Sequence, residues 1–270
     1  MRDTRVLLIE DDPYARTMME LLLRRDWRTR VAASVRHPRE LRPALDRLRR
    51  KRERVDFVLV DTDIPDDSVW LRDAFEALRG EPARVILTGV APRAAMVEHL
   101  PDGLPLAGYL IKDEIRFGLA WAAALAAGPA FVCTPGVERL YSTLGRRLPP
   151  GALLLDGAAP VASLTAHESD VTRVAFLFSL ERIELADELQ ISINYTYTLT
   201  SSLYQKLGIP ELFSGEVAPQ EVFGDQPIIL AQLKKLIKQD GSRKPQEVET
   251  VAFHLLTRPL ITPAGVTPAG

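Results

Sequence analysis

Five short apolar runs mark the first half of the chain: Arg5-Val-Leu-Leu-Ile9, Val31–Val35, Phe57-Val-Leu-Val60, Arg84-Val-Ile-Leu-Thr88 and Ala107-Gly-Tyr-Leu-Ile-Lys112. Apolar residues without polar alternation suit parallel strands buried on both faces. The stretches between them have helical periodicity. Pro13 can open a helix over Tyr14–Arg25 with Met18, Leu21 and Leu22 inward. LRPALDRLRRKRER gives a helix with a basic outer face, and Trp70–Leu78, 92–99 and 114–127 give three more. Strand–helix alternation of this kind predicts an α/β domain over 1–128, doubly wound around a five-stranded parallel sheet.

The pattern then changes. Residues 129–163 (GPAFVCTPG, LPPGALLLDGAAPVAS) are rich in Gly, Pro and Ala and read as a linker with a short helix at 136–145. Over 164–215 the chain predicts an all-α domain. Thr165 and Glu168 form a capping box before VTRVAFLF. RIELADELQ follows, and Ser192 sits as N-cap of a helix over 193–206 that Gly208 ends. Compact helices with a tight turn before the last describe a helix-turn-helix. A helical extension over 216–257 holds IILAQLKKLIKQ and QEVETVAFHLLTR, each opened by a proline. In the first, Ile229, Leu230, Leu233 and Leu236 make one stripe, with Lys234, Lys235 and Lys238 outside. That extension reads either as a packed appendage with a solvated face or as a dimerising or phosphate-contacting element. Residues 258–270 read as a disordered tail.

Composition narrows the function classes. At 270 residues the chain suits two domains, and a net charge of −2 gives it no polyelectrolyte character. One cysteine, Cys133, excludes a disulfide framework, and four scattered histidines lack metal-ligand spacing. The opening apolar run is too short for a signal-peptide core, and WAAALAAGPAFV is far short of a span of about 20 residues. A cytoplasmic protein with no membrane partner is expected.

The chemistry gathers where the strands end. The carboxyl ends of strands in an open α/β sheet form its ligand crevice. There the first strand brings Glu10 and Asp11, the third Asp61, the fourth Thr88 and the fifth Lys112. A carboxylate at Asp61 can be a metal ligand, a nucleophile or a helix cap, and partners from other strands favour the first two. Clustered carboxylates repel unless a cation joins them, and a hard, oxygen-ligated ion such as Mg²⁺ suits them. Asp61 could then accept a phosphoryl group. Lys112 would neutralise it, and the Thr88 hydroxyl would donate to it.

These residues carry a resemblance. IEDDP, DTDIP, LTG and GYLIKD stand in the order found in two-component response-regulator receiver domains, which have a flavodoxin-like fold. The resemblance implies that Asp61 is the phospho-acceptor, Asp11 a direct Mg²⁺ ligand and Glu10 a water-mediated one, with the Asp63 carbonyl completing the set. It makes Thr88 and Tyr109 a switch pair, and it implies a histidine kinase or small phosphodonor as partner. The glycine usual after the acceptor is missing, Val69 standing about there, and Asp63, Asp66 and Asp67 add negative charge.

LTAHESDV, LADELQIS and SSLYQKLGI resemble the LuxR-type (NarL/FixJ-like) DNA-binding domain. By that resemblance the protein is a transcription regulator rather than an enzyme, a homodimer on duplex DNA. Asn194, Tyr195, Tyr197, Thr198, Ser201 and Ser202 would face the bases and Lys206 a phosphate. Phosphate neutralisation dominates DNA affinity, yet residues 164–209 carry a net charge of −3. The alternative is a helical domain that binds a protein partner.

Overall fold

The computed structural model describes residues 3–63, 67–98, 104–157, 159, 164–177, 182–239 and 245–264. The chain divides into two compact units: one built on the sheet, the other comprising Ala159–Arg258 together with Arg25–Trp27.

In chain order the α/β unit runs β1 (Thr4–Ile9), α1 (Pro13–Arg25), β2 (Thr29–Val35), α2 (Leu41–Arg50), β3 (Phe57–Asp61), α3 (Asp67–Leu78), β4 (Arg84–Gly89), α4 (Ala95–Glu98) and β5 (Leu106–Ile111). It continues through α5 (Lys112–Ile115), α6 (Leu119–Ala126), β6 (Val132–Cys133), α7 (Pro135–Thr143) and β7 (Leu153–Asp156). The sheet order begins β2-β1-β3-β4-β5, so the chain reverses its winding between β1 and β3. Every residue of β3 is buried, as an unbroken apolar run requires. On α2 the stripe Leu41, Ala44, Leu45 and Leu48 is buried, while Arg47, Arg49 and Arg50 face solvent. Part of that basic face is already paired, Arg49 lying 2.5 Å from Glu81. In α1 Leu22 is buried as expected, with Met19 and Leu23 in place of the expected Met18 and Leu21. Both sets keep helical spacing, and packing rather than periodicity selects between them.

The sheet does not stop at five strands. Residues 129–163, expected as a linker, add β6 and β7 in parallel, with α7 between them. Gly108 permits this: a Cβ there would lie 2.5 Å from the Val132 carbonyl oxygen, so only glycine lets β6 pair so closely with β5. Phe131, Val137 and Tyr141 join the main core. The eighth strand, β8 (Leu260–Pro263), comes from the expected tail and pairs antiparallel with β7, Leu153 opposite Pro263 and Asp156 opposite Leu260.

The helical unit is therefore an insertion between the last two strands. Its elements are α8 (Ala166–Leu177), α9 (Arg182–Leu189), α10 (Ile193–Lys206), α11 (Ile209–Ser214), α12 (Pro219–Phe223), α13 (Pro227–Lys238) and α14 (Pro245–Leu256). Its core joins Phe176, Leu203, Leu207 and Ile209 to Ala252 and Leu256. The residues of α14 thus complete the packing of α8 and α10, and the 216–257 stretch is integral rather than appended. Where the unit begins and ends, the Ala159 amide donates to the Arg258 carbonyl at 2.7 Å.

Candidate functional site

Three carboxylates meet at the carboxyl end of the sheet. β1 delivers Glu10 and Asp11, and β3 delivers Asp61 beside them because those strands are neighbours. One oxygen from each lies within 4.8 Å of the others, a spacing that fits one divalent ion. Glu10 and Asp61 are almost fully buried, at 1% and 2% exposure. β5 ends at Ile111, which places Lys112 across from them; its ammonium is 2.8 Å from Glu10 Oε2 and 3.0 Å from Asp61 Oδ1.

Burial sets the protonation of this group. It pushes Glu10 up to about 7, against the pull of Lys112 and with the Asp61 charge adding to it. Asp61 is raised for the same first reason, and Lys112 offsets part of the effect. Burial would lower Lys112, but its bond to Glu10 and the charges of Asp61 and Glu10 win, so it is held above its ordinary value. With the three carboxylates and the lysine charged, the cluster would carry two surplus negative charges, which a bound divalent cation would offset.

The strand register explains the rest. Thr88 lies directly opposite Asp61 in the β3–β4 pairing and is buried. Its hydroxyl is 3.4 Å from the Val60 carbonyl. Tyr109, on β5 one position before the Leu110 that faces Thr88, has its ring inside at 1% exposure. The Arg93 amide donates to its hydroxyl at 3.0 Å, and that hydroxyl lies 3.4 Å from the Ala91 carbonyl. Burial raises the Tyr109 pKa.

The Asp63 amide donates to Asp61 Oδ1 at 3.2 Å, so its backbone faces the cluster. Its side chain turns to the loop after β4, where it accepts from the Val90 amide and lies 3.2 Å from the Arg93 guanidinium. Arg93 escaped the sequence reading; the only signal was a lone arginine shortly after Thr88. Val69 falls among residues whose side chains lie outside the described set, as does Asp66.

In the helical unit the caps form as expected. Thr165 and Glu168 bond reciprocally, at 3.2 and 3.0 Å, and Ser192 accepts from the Tyr195 amide at 3.2 Å. Asn194, Tyr195, Tyr197, Thr198 and Ser201 are exposed along α10, and Ser202 is half-buried. Lys206 is engaged differently from the expectation of a phosphate contact: its ammonium binds the Glu168 carboxylate. That bond, with those from Thr165, holds Glu168 down at about 2. Cys133 is fully buried in β6 and pushed up to about 12, so it is an inert thiol. Among the described residues no helix is long and apolar enough to cross a membrane.

The sheet thus carries, where its winding reverses, three carboxylates that could hold a metal ion, with a lysine bonded to two of them. No protein-family model and no curated protein matches the chain. Solved structures similar to it include response regulators. RcsB of Salmonella typhimurium aligns with a TM-score of 0.45 and 18% identity over 77% of this chain and 93% of that one. ChrA, of a heme-sensing two-component system, gives 0.40 and 20% over 88% and 100%. The receiver domain of NarL from Mycobacterium tuberculosis gives 0.39 and 21% over 48% and 99%.

Proposed function

We propose that the protein is a phosphorylation-controlled response regulator whose α/β unit accepts a phosphoryl group on Asp61. One observation carries this: from three separate strand ends, one oxygen each of Glu10, Asp11 and Asp61 comes within 4.8 Å of the others, and Lys112 bonds Glu10 and Asp61. An Asp61 carboxylate oxygen attacks the phosphorus of a phosphohistidine or acyl phosphate, the new O–P bond forms, and the leaving imidazole or carboxylate keeps the electron pair of the broken bond. Lys112 is placed to neutralise the incoming oxygens. The Thr88 hydroxyl, weakly held on Val60, is free to turn and donate to one of them. Glu10, Asp11, Asp61 and the Asp63 carbonyl would hold Mg²⁺, which supplies charge neutralisation on the transferring group. A histidine kinase in the cytoplasm is the donor this chemistry suits.

The output is duplex DNA, bound through the exposed face of α10 by a homodimer that phosphorylation assembles or releases. A second reading draws on a specific observation. The α10 lysine is taken by Glu168, while Ile193, Tyr195 and Tyr197 are 45%, 54% and 58% exposed, a surface that also suits a protein partner.

Duplex-DNA binding by the full chain, with and without acetyl phosphate and Mg²⁺, tests the whole proposal. A donor-dependent change in affinity in wild type and none in Asp61→Asn is expected. Absence of binding at low salt in both states would favour the protein-binding output.

A further inference from the structure

The loop between β4 and α4 is closed onto the end of β3 at several points. The Asp63 carboxylate accepts from the Val90 amide with one oxygen and meets the Arg93 guanidinium at 3.2 Å with the other. Arg93 in turn donates its amide to the Tyr109 hydroxyl at 3.0 Å. Gly89 records how close the approach is. A Cβ there would lie 2.4 Å from Thr62 Oγ1 and 3.4 Å from Asp63 Oδ2, so the loop could not sit here with any larger residue unless something shifted.

We infer that Asp63 is a positioning residue: its carboxylate holds the β4–α4 loop, and through Arg93 the Tyr109 ring, in the inward arrangement with no phosphoryl group on Asp61. This rests on the phospho-acceptor reading of the pocket and adds to it how the pocket is regulated. Two elements that such a switch would move together are separated here. Tyr109 is fixed in advance by an anion belonging to the chain, and only the Thr88 hydroxyl remains to respond. Asp63 is well placed for this, because its amide faces Asp61 while its side chain faces the loop. The pair with Arg93 is partly open to water, at 22% and 34% exposure, so it acts together with the bond to the Val90 amide rather than alone.

The test places 3-fluorotyrosine at position 109 in the full chain and follows its ¹⁹F resonance and its broadening by a soluble paramagnet. Without phosphodonor, wild type is expected to show one protected signal. Asp63→Ala is expected to add a solvent-broadened signal, and Asp63→Asn, which keeps an acceptor for Val90 but not the charge for Arg93, a smaller one. Addition of acetyl phosphate and Mg²⁺ should leave the wild-type signal in place and draw the Asp63→Ala signals towards the protected one. The inference is overturned if Asp63→Ala gives the single protected signal of wild type, or if the donor moves the wild-type signal. The mass of each sample reports phosphorylation separately. An unlabelled wild type would remove the phospho-acceptor reading, while the donor-free spectra would still decide the role of Asp63.

Discussion

The Lys112 ammonium stands 3.0 Å from Asp61 Oδ1 and 2.8 Å from Glu10 Oε2, so a single cation holds two nearly buried carboxylates. Removing it leaves both without a counter-charge, each keeping one backbone amide, Asp12 on Glu10 and Asp63 on Asp61. Lys112→Met should cost about 2 kcal/mol at pH 8, less than the roughly 3–5 kcal/mol for breaking a fully buried pair, because the Lys112 side chain is itself 21% exposed. The sign with pH follows from Glu10, whose folded value of about 7 lies above its ordinary 4.5. A raised carboxyl keeps its contribution to stability at low pH and loses it as pH rises through the folded value. The variant raises both carboxyls further, so its deficit in urea unfolding should shrink from pH 8 to pH 5. A deficit that does not change with pH would contradict this.

Added Mg²⁺ should act on the same cluster. Because one oxygen each from Glu10, Asp11 and Asp61 lies within 4.8 Å of the others, wild type should gain thermal stability with increasing Mg²⁺. Asp11→Asn should lose most of that gain while melting at a similar temperature in chelator. Equal gains in the two proteins would remove Asp11 from the ligand set.

β8, which follows the helical unit in the chain, pairs with β7 at the edge of the sheet. A chain ended at Arg258 leaves the β7 amides on an open edge. Hydrogen exchange over Leu153–Asp156 should then speed up by about tenfold or more. Unchanged protection would mean that β8 contributes nothing to the edge.

Glu168 is held at about 2, below its ordinary 4.5, by Lys206 and Thr165. A depressed carboxyl contributes stability above its unfolded value and loses it as pH falls through the folded one. The stability difference between wild type and Glu168→Gln should therefore be full at pH 6 and fade from about pH 4.5 towards about pH 2. A constant difference in thermal melts across that range would refute the pairing.

The acid–lysine cluster was legible in the sequence because strand ends in a doubly wound sheet share one edge, so Glu10, Asp11, Asp61 and Lys112 could be brought together by topology alone. The caps at Thr165 and Ser192 were legible because capping is local. The three added strands were not. Val132–Cys133 is too short to show periodicity, and β8 pairs with a strand about a hundred residues earlier, which no local pattern reports. Side-chain direction was also hidden. The sequence puts charge at Asp63 and Lys206, but that one turns to Val90 and the other to Glu168 depends on contacts 27 and 38 residues away.

The most direct test of the account is the mass of the full chain after incubation with acetyl phosphate and Mg²⁺, mapped to a residue. One acid-stable, base-labile phosphoryl group on Asp61, absent with chelator and absent in Asp61→Asn, is the result expected. An unmodified wild type, or the same modification surviving in Asp61→Asn, would contradict it.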